Sequence, residues 1–418
     1  MTTESAIEDV WRQHAAHVLA ALVRRSRDFD AAEDAAQEAL LAATRQWPVE
    51  GMPDNPKGWL ITVGSRRLVD QWRADRTRAD REELVARRDA AALDDDTAEL
   101  GGPDPGEHDD SLTLLLLCCH PALTRPSQVA LTLRAVAGLS TAQIARAFLV
   151  PEPTMAQRIS RAKGRLAQVH APFAIPPADE LPDRVTAVAH VLYLIFTEGH
   201  TATTGAELTD TSLAHEAIRL TRRLHAHLPA ADEITGLLAL MLLTEARRAA
   251  RTVGDGSLVL LSDQDRSRWD RQLIEEGVAL IESALPSGPV GPYQLQAAIA
   301  AVHADAADAT ATDWAQIDAL YTMLDAIAPG PVVTLNRAVA VAEVHGPEPA
   351  LAMTEPLLDD PQLRRNHRLY AVRAHLLELA GREDEARTAY ATAAQLATSI
   401  PEQRYLNERA LKDVSSPS

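Results

Sequence analysis

A chain of 418 residues exceeds what one hydrophobic core organises and implies about two to four domains. Its 46% hydrophobic and 24% charged content is that of a folded protein, and 4% aromatic residues favour helices packed on small side chains over sheets. Two adjacent cysteines, Cys118 and Cys119, exclude a disulfide framework, and no apolar run approaches the ~20 residues of a spanning helix, so a cytoplasmic chain without a membrane partner is expected.

In chain order, residues 6–26 and 31–47 place apolar side chains at three- and four-residue spacing and read as two helices separated by the "RDFD" break. The segment "PVEGMPDNP" (48–56) is rich in helix breakers and reads as a loop. A third helix follows over 57–82, apolar at first and then increasingly cationic. Together 1–88 form a first helical domain, and the acidic, Gly- and Pro-containing 89–110 has the composition of a flexible linker. A second helical unit spans 111–172, a helical extension 173–290, and helical repeats 291–411, leaving 412–418 as a disordered tail. No segment alternates long enough for a strand, so the fold class is all-α.

The repeat reading rests on spacing. In "AHLLELAGREDEARTAYATAAQLA", Ala374, Ala386 and Ala393 supply small residues, Gly381 a turn and Tyr390 a ring, as in a tetratricopeptide hairpin. Ala338, Gly346 and Ala350 stand in the same relation, and Ala350 precedes Ala386 by 36 residues, near the usual period of about 34.

Charge is distributed unevenly. The whole chain carries 41 Lys and Arg against 59 Asp and Glu, a net −18, yet residues 111–170 sum to +6 and residues 171–418 to −14. Salt screens charges beyond ~10 Å, so a polyanion responds to the nearby face rather than to the total. Within the cationic unit, Ser140 and Gln143 spell a capping box for a helix running to Leu149. After a break at Val150–Pro153, a second helix begins near Thr154, with Met155, Ile159, Ala162 and Leu166 as a buried stripe. Thr154, Arg158, Arg161 and Arg165 lie on another face, flanked by Gln157 and Lys163. A short helix, tight turn and second helix with such a face can enter a major groove, where Arg and Gln read base edges. A solvated cationic helix in an ordinary bundle has the same local pattern.

The wider stretch "LTRPSQVALTLRAVAGLSTAQIARAFLVPEPTMAQRISRAKGRL" resembles region 4 of bacterial sigma factors of the extracytoplasmic-function type. "DFDAAEDAAQEALLAATRQW" is similar to the region 2 helix that binds polymerase, and "PKGWLITVGSRRLVDQWR" to the promoter-melting helix. "VLYLIFTEGH", "VGDGSLVLLSDQDRSRWD" and "LNRAVAVAEVHGPEPAL" resemble the subgroup with a long C-terminal tetratricopeptide-type extension, so the likeness spans nearly the whole chain.

The resemblance implies core RNA polymerase and promoter DNA as partners, with a protein or intramolecular partner for the repeats. It places Asp34, Gln37 and Glu38 on the polymerase-docking face. It assigns Trp59, Arg66, Arg67, Asp70 and Arg73 to the −10 element, with Trp59 expected to pack in the core rather than stack on a base. Thr154, Gln157, Arg158 and Arg161 would meet the −35 element, with Lys163 and Arg165 toward phosphates. Arg66 replaces a frequent Asn, Ala156 a frequent cation, and Pro151 a frequent capping Ser. "CCHP" lacks the further ligands a zinc site needs, and the chain shows no nucleotide loop, HExxH or GxSxG, so no metal, cofactor or catalytic role is expected. Asp263, Asp265, Arg266 and Arg268 read as a turn held by ion pairs or an interface with the first two helical domains, with a catalytic or ligand site as the alternative. Two other readings compete: a helix-turn-helix regulator that never touches polymerase, and an enzyme housed in the extension.

Overall fold

The first helix, α1 (Thr3–Ser26), buries Ile7, Trp11, Ala15, Val18, Leu19 and Leu22 along one face. The computed structural model describes residues 3–86, 110–148, 150–200, 211–253, 257–285 and 288–411. The linker assigned to 89–110, apart from Asp110, and the tail 412–418 lie outside the described residues. The described residues contain eighteen α-helices and no sheet, only an isolated bridge between Thr252 and Leu258, so the chain is all-α. None of these helices is long and apolar enough to cross a membrane. Two compact units share the chain, divided between Val191 and Leu192.

In the first unit, α2 (Phe29–Glu50) starts where the Asp28 carboxylate accepts the Ala31 N–H at 3.1 Å. Its buried stripe is nearly all alanine (Ala32, Ala35, Ala36, Ala39, Ala43) and closes on Trp47, which lets neighbouring helices approach closely. The helix continues through Pro48, two residues beyond the expected loop start. A proline in the last turn removes a single backbone bond, buried Trp47 anchors that turn, and the Gly51 N–H closes it on the Trp47 carbonyl at 3.0 Å. α3 (Pro56–Ala86) packs on both, with Leu60 fully buried.

Four helices follow: α4 (Ser111–Cys118), α5 (Arg125–Ala135), α6 (Thr141–Ala147) and α7 (Glu152–Gln168). α6 carries the expected capping box, Gln143 N–H to Ser140 Oγ at 3.1 Å and Ser140 N–H to Gln143 Oε1 at 2.8 Å. It ends at Ala147, two residues early, and α7 begins at Glu152, two residues early, because the Pro151 carbonyl already accepts Thr154 N–H at 2.9 Å.

Gly138 joins the two groups of helices. Its φ is +72°, and a Cβ there would meet the Ala15 Cβ at 2.8 Å and the Trp11 indole nitrogen at 3.0 Å. Trp11 Nε1 donates to the Gly138 carbonyl at 3.1 Å. Strain and overlap act together, so Gly138→Ala is expected to lower stability by about 2–4 kcal/mol, read as a shift in urea midpoint at constant slope.

α8 (Leu181–His200) spans the division between Val191 and Leu192, which falls nineteen residues beyond the boundary expected between 172 and 173. Its first half is held by Arg184 donating to the Leu116 carbonyl (3.2 Å) and by Arg125 donating to the Ala187 carbonyl (3.3 Å). In the second unit, α9 (Thr211–His227) precedes α10 (Asp232–Glu245), which is buried on every face from Ile234 to Leu243 and forms the centre of its core. α11 (Arg271–Ala284) and α12 (Pro292–Asp305) pack against α10. α13 (Trp314–Ile327) leads into α14 (Pro331–His345) and α15 (Pro347–Thr354), then α16 (His367–Leu379), α17 (Glu383–Leu396) and α18 (Ile400–Leu411).

The last hairpins place Ala338, Ala350, Ala374, Ala386 and Ala393 in the buried contacts. Gly346 (φ +87°) and Gly381 (φ +72°) make the turns between paired helices. α15 spans only eight residues before a 3-10 turn, so the repeat is shorter there than the pattern suggests.

Candidate nucleic-acid interface

α7 is sharply two-sided. Met155, Ile159, Ala162 and Leu166 are 1–5% exposed and seat the helix, which leaves the face opposite them open to a partner. Thr154, Gln157, Arg161 and Arg165 are exposed and Arg158 is half-buried. Among the described residues, no carboxylate pairs with Arg158, Arg161 or Arg165. Pro151 offers no side-chain cap, while Glu152 in the first turn complements the positive helix end.

Lys163 departs from expectation. Its ammonium does not face outward toward phosphates but donates to Glu33 Oε2 at 2.9 Å and to Asp30 Oδ1 at 2.5 Å, both on α2. Arg134 Nε donates to Glu33 Oε1 at 2.6 Å, so a nearly buried carboxylate is shared by two cations. Burial alone would raise the Glu33 carboxyl, but hydrogen bonds from Lys163 and Arg134 hold it below the usual range. Burial would likewise lower the Lys163 ammonium, and its bonds to Asp30 and Glu33 hold it above. The physical reason is phase. Lys163 follows Ala162 of the buried stripe directly, and α2 supplies two carboxylates opposite it.

On α2, Asp34 and Glu38 are exposed and Gln37 half-buried, on turns next to the Glu33 contact. On α3, Arg66, Arg67, Asp70 and Arg73 are exposed, and Arg67 approaches Glu38 at 4.0 Å. Trp59 is half-buried and meets Trp47 edge-on at 5.3 Å, the packing role expected for it. Trp72, 46% exposed beside Arg73, belongs to the same surface and was not singled out from the sequence. An aromatic set among cations in "RRLVDQWR" was the available signal. Glu33 was also missed; a carboxylate flanked by the alanines of a buried stripe signals a partner elsewhere.

Cys118 and Cys119 are buried, and burial pushes both thiols up, Cys119 to about 12. No group of three or more His, Cys, Asp or Glu among the described residues could hold a metal ion.

Residues 10–78 match the family model for sigma-70 region 2, and residues 113–166 that for sigma-70 region 4. The cationic helix α7 and the helices α1 to α3 thus fall in the two matched regions, in the order the motifs suggested. The chain is a sigma-70 family protein of the extracytoplasmic-function type with a C-terminal extension. A probable ECF RNA polymerase sigma factor, SigI, of Mycobacterium tuberculosis is 30% identical over 181 residues, 43% of this chain and 60% of that protein. An uncharacterized protein of Rhizobium meliloti, R00370, is 46% identical over 392 residues, 93% of this chain and 91% of its own length, so the extension is shared with it. Residues 184–285 match a family of unknown function, DUF6596. No solved structure matches the sigma factor.

Proposed function

We propose that this sigma factor reads a two-part promoter with two surfaces and carries core RNA polymerase to it on a third. The exposed guanidinium face of α7, seated by its buried stripe, is the observation that carries the reading. Thr154, Gln157, Arg158 and Arg161 enter the −35 major groove, and Arg165 meets a flanking phosphate. Arg66, Arg67, Asp70 and Arg73 on α3 hold the −10 strand, with the half-exposed Trp72 ring on the same helix beside them. The transcription chemistry belongs to polymerase, and the sigma factor supplies recognition and opening.

Asp34, Gln37 and Glu38 form the polymerase face, where carboxylates and an amide suit an Arg-rich partner. Reversing one charge there turns attraction into repulsion without touching the alanine core. Asp34→Arg is therefore expected to abolish co-purification with core polymerase and run-off transcription while leaving the melting temperature unchanged. Retained transcription by Asp34→Arg removes α2 from the polymerase contact and favours the regulator reading.

The extension is proposed to tune this activity. Its net charge of −14 is opposite to that of the cationic region 4 segment, and its hairpins stack as repeat proteins do.

A further inference from the structure

The helices assigned to the two promoter elements are both tied to α2. Lys163 of α7 donates to Glu33 Oε2 at 2.9 Å and to Asp30 Oδ1 at 2.5 Å. Arg67 of α3 approaches Glu38, five residues beyond Glu33, at 4.0 Å. Five residues rise about 7.5 Å along a helix, so even with every side chain extended Lys163 and Arg67 stand within roughly 40 Å of each other.

The elements themselves are farther apart. Positions −35 and −10 are separated by about 25 base pairs, or ~85 Å of duplex at ~3.4 Å per pair. With a persistence length of about 150 base pairs, so short a duplex does not fold back to bring its ends together. In the arrangement observed, α3 and α7 therefore cannot both reach their elements.

Part of what holds the two groups of helices together is charged. Arg134 Nε donates to Glu33 Oε1 at 2.6 Å, and Arg24 Nε lies 3.2 Å from Asp110 Oδ2. Between the α1–α2 turn and the end of α7 remains a pocket of about 740 Å³, lined by Phe29, Leu166 and Phe173 together with the exposed Arg27 and His170. A continuous core packed to crystal density leaves no such gap. The proposed polymerase face, Asp34, Gln37 and Glu38, begins one residue after Glu33 on the same helix.

Given the two-surface reading above, on which this rests, we propose that Asp30 and Glu33 form a clasp. It holds the −35 reader shut against the −10 reader in the free sigma factor, and binding of polymerase and promoter opens it. An Arg-rich polymerase surface arriving at Asp34 and Glu38 offers Asp30 and Glu33 cations in place of Lys163 and Arg134. Arg161 and Arg165 stay exposed in the closed state, so a −35 duplex alone still binds. What the clasp prevents is contact with both elements at once.

The test measures a distance in the full chain between spin labels at two exposed positions, Arg45→Cys on α2 and Gln168→Cys at the end of α7. Cys118 and Cys119 are buried with raised thiol pKa values and do not take the label. The free protein is expected to give one short distance, which lengthens by more than ~30 Å in the complex with polymerase and promoter. Lys163→Arg keeps the short distance in the free protein. Lys163→Glu sets a like charge against two carboxylates and adds a second, longer distance. Asp30→Lys, at an exposed position, does the same from the other side and keeps the test decisive if Lys163→Glu folds poorly. A free-protein distance that neither charge reversal moves overturns the clasp, as does one already long in the parent.

Asp30→Cys combined with Lys163→Cys, joined by a short bismaleimide, locks the helices shut. The joined protein is expected to lose at least about tenfold in run-off transcription relative to the same variant unjoined, while binding a −35 duplex equally well. Equal transcription by the two forms overturns the proposal. The free-protein distances involve neither polymerase nor DNA. If they fail while Arg161→Ala still weakens promoter binding, the clasp falls and the promoter reading stands; if Arg161→Ala has no effect, the promoter reading falls whatever the distances show.

Discussion

Arg161→Ala is expected to weaken binding of the polymerase-bound sigma factor to its promoter by ~1–3 kcal/mol, roughly fivefold to a hundredfold, and to relax preference at one −35 position. Arg161 is exposed and unpaired among the described residues, while the helix is seated by Met155, Ile159, Ala162 and Leu166. Truncation therefore removes the proposed DNA contact without opening the core. Arg165→Ala is expected to weaken all sequences alike and to reduce the salt slope by about 1, the signature of a phosphate contact. Lys163→Ala serves as the contrast. Its ammonium is held between Asp30 and Glu33, so its removal leaves DNA affinity and salt slope near those of the parent. Fluorescence anisotropy on a −35 duplex and single-base variants, at several salt concentrations, separates the three. Equal losses in Lys163→Ala and Arg161→Ala mean that the DNA-facing side of α7 is misassigned.

Glu33→Ala is expected to destabilise the first unit by ~3–5 kcal/mol, the usual range when one member of a buried ion network is removed. Glu33 is 8% exposed, and its loss leaves Arg134 without its carboxylate partner and Lys163 with the exposed Asp30 alone. Glu33→Gln keeps the shape and part of the hydrogen bonding, so a smaller loss is expected. The effect depends on pH. The Glu33 carboxyl titrates below its unfolded value, so its contribution is present at neutral pH and is lost as pH falls through the folded-state pKa. The Lys163 ammonium titrates above its unfolded value, so its contribution persists at neutral pH and is lost only as strong alkali passes the folded-state pKa. Urea unfolding of parent and Glu33→Gln should therefore show a gap at pH 7 that narrows toward pH 4. A gap that is constant over that range means that Glu33 acts through shape rather than charge.

Much of the fold was legible in local pattern. The stripe Met155–Ile159–Ala162–Leu166, the Ser140 capping box and the alanines around Gly346 and Gly381 all appear where their spacing placed them. Each depends on interactions within a few residues, where backbone periodicity dictates which side chains share a face. Other features depended on distant partners. α2 runs through Pro48 because Trp47 packs against Trp59, and α8 is shared between two units through contacts made at either end of it.

For this sigma factor, the sequence alone determined the helices, their order, the concentration of positive charge in region 4 and the likeness to two sigma regions. Only the tertiary structure decided which cations are available. Lys163 lies 130 positions from Glu33, and its helical phase beside Ala162 does not by itself say that two carboxylates stand opposite it. A side chain's face is set by the rise and turn of its own helix, but its charge is satisfied or left open by whatever the rest of the chain brings within a few ångströms.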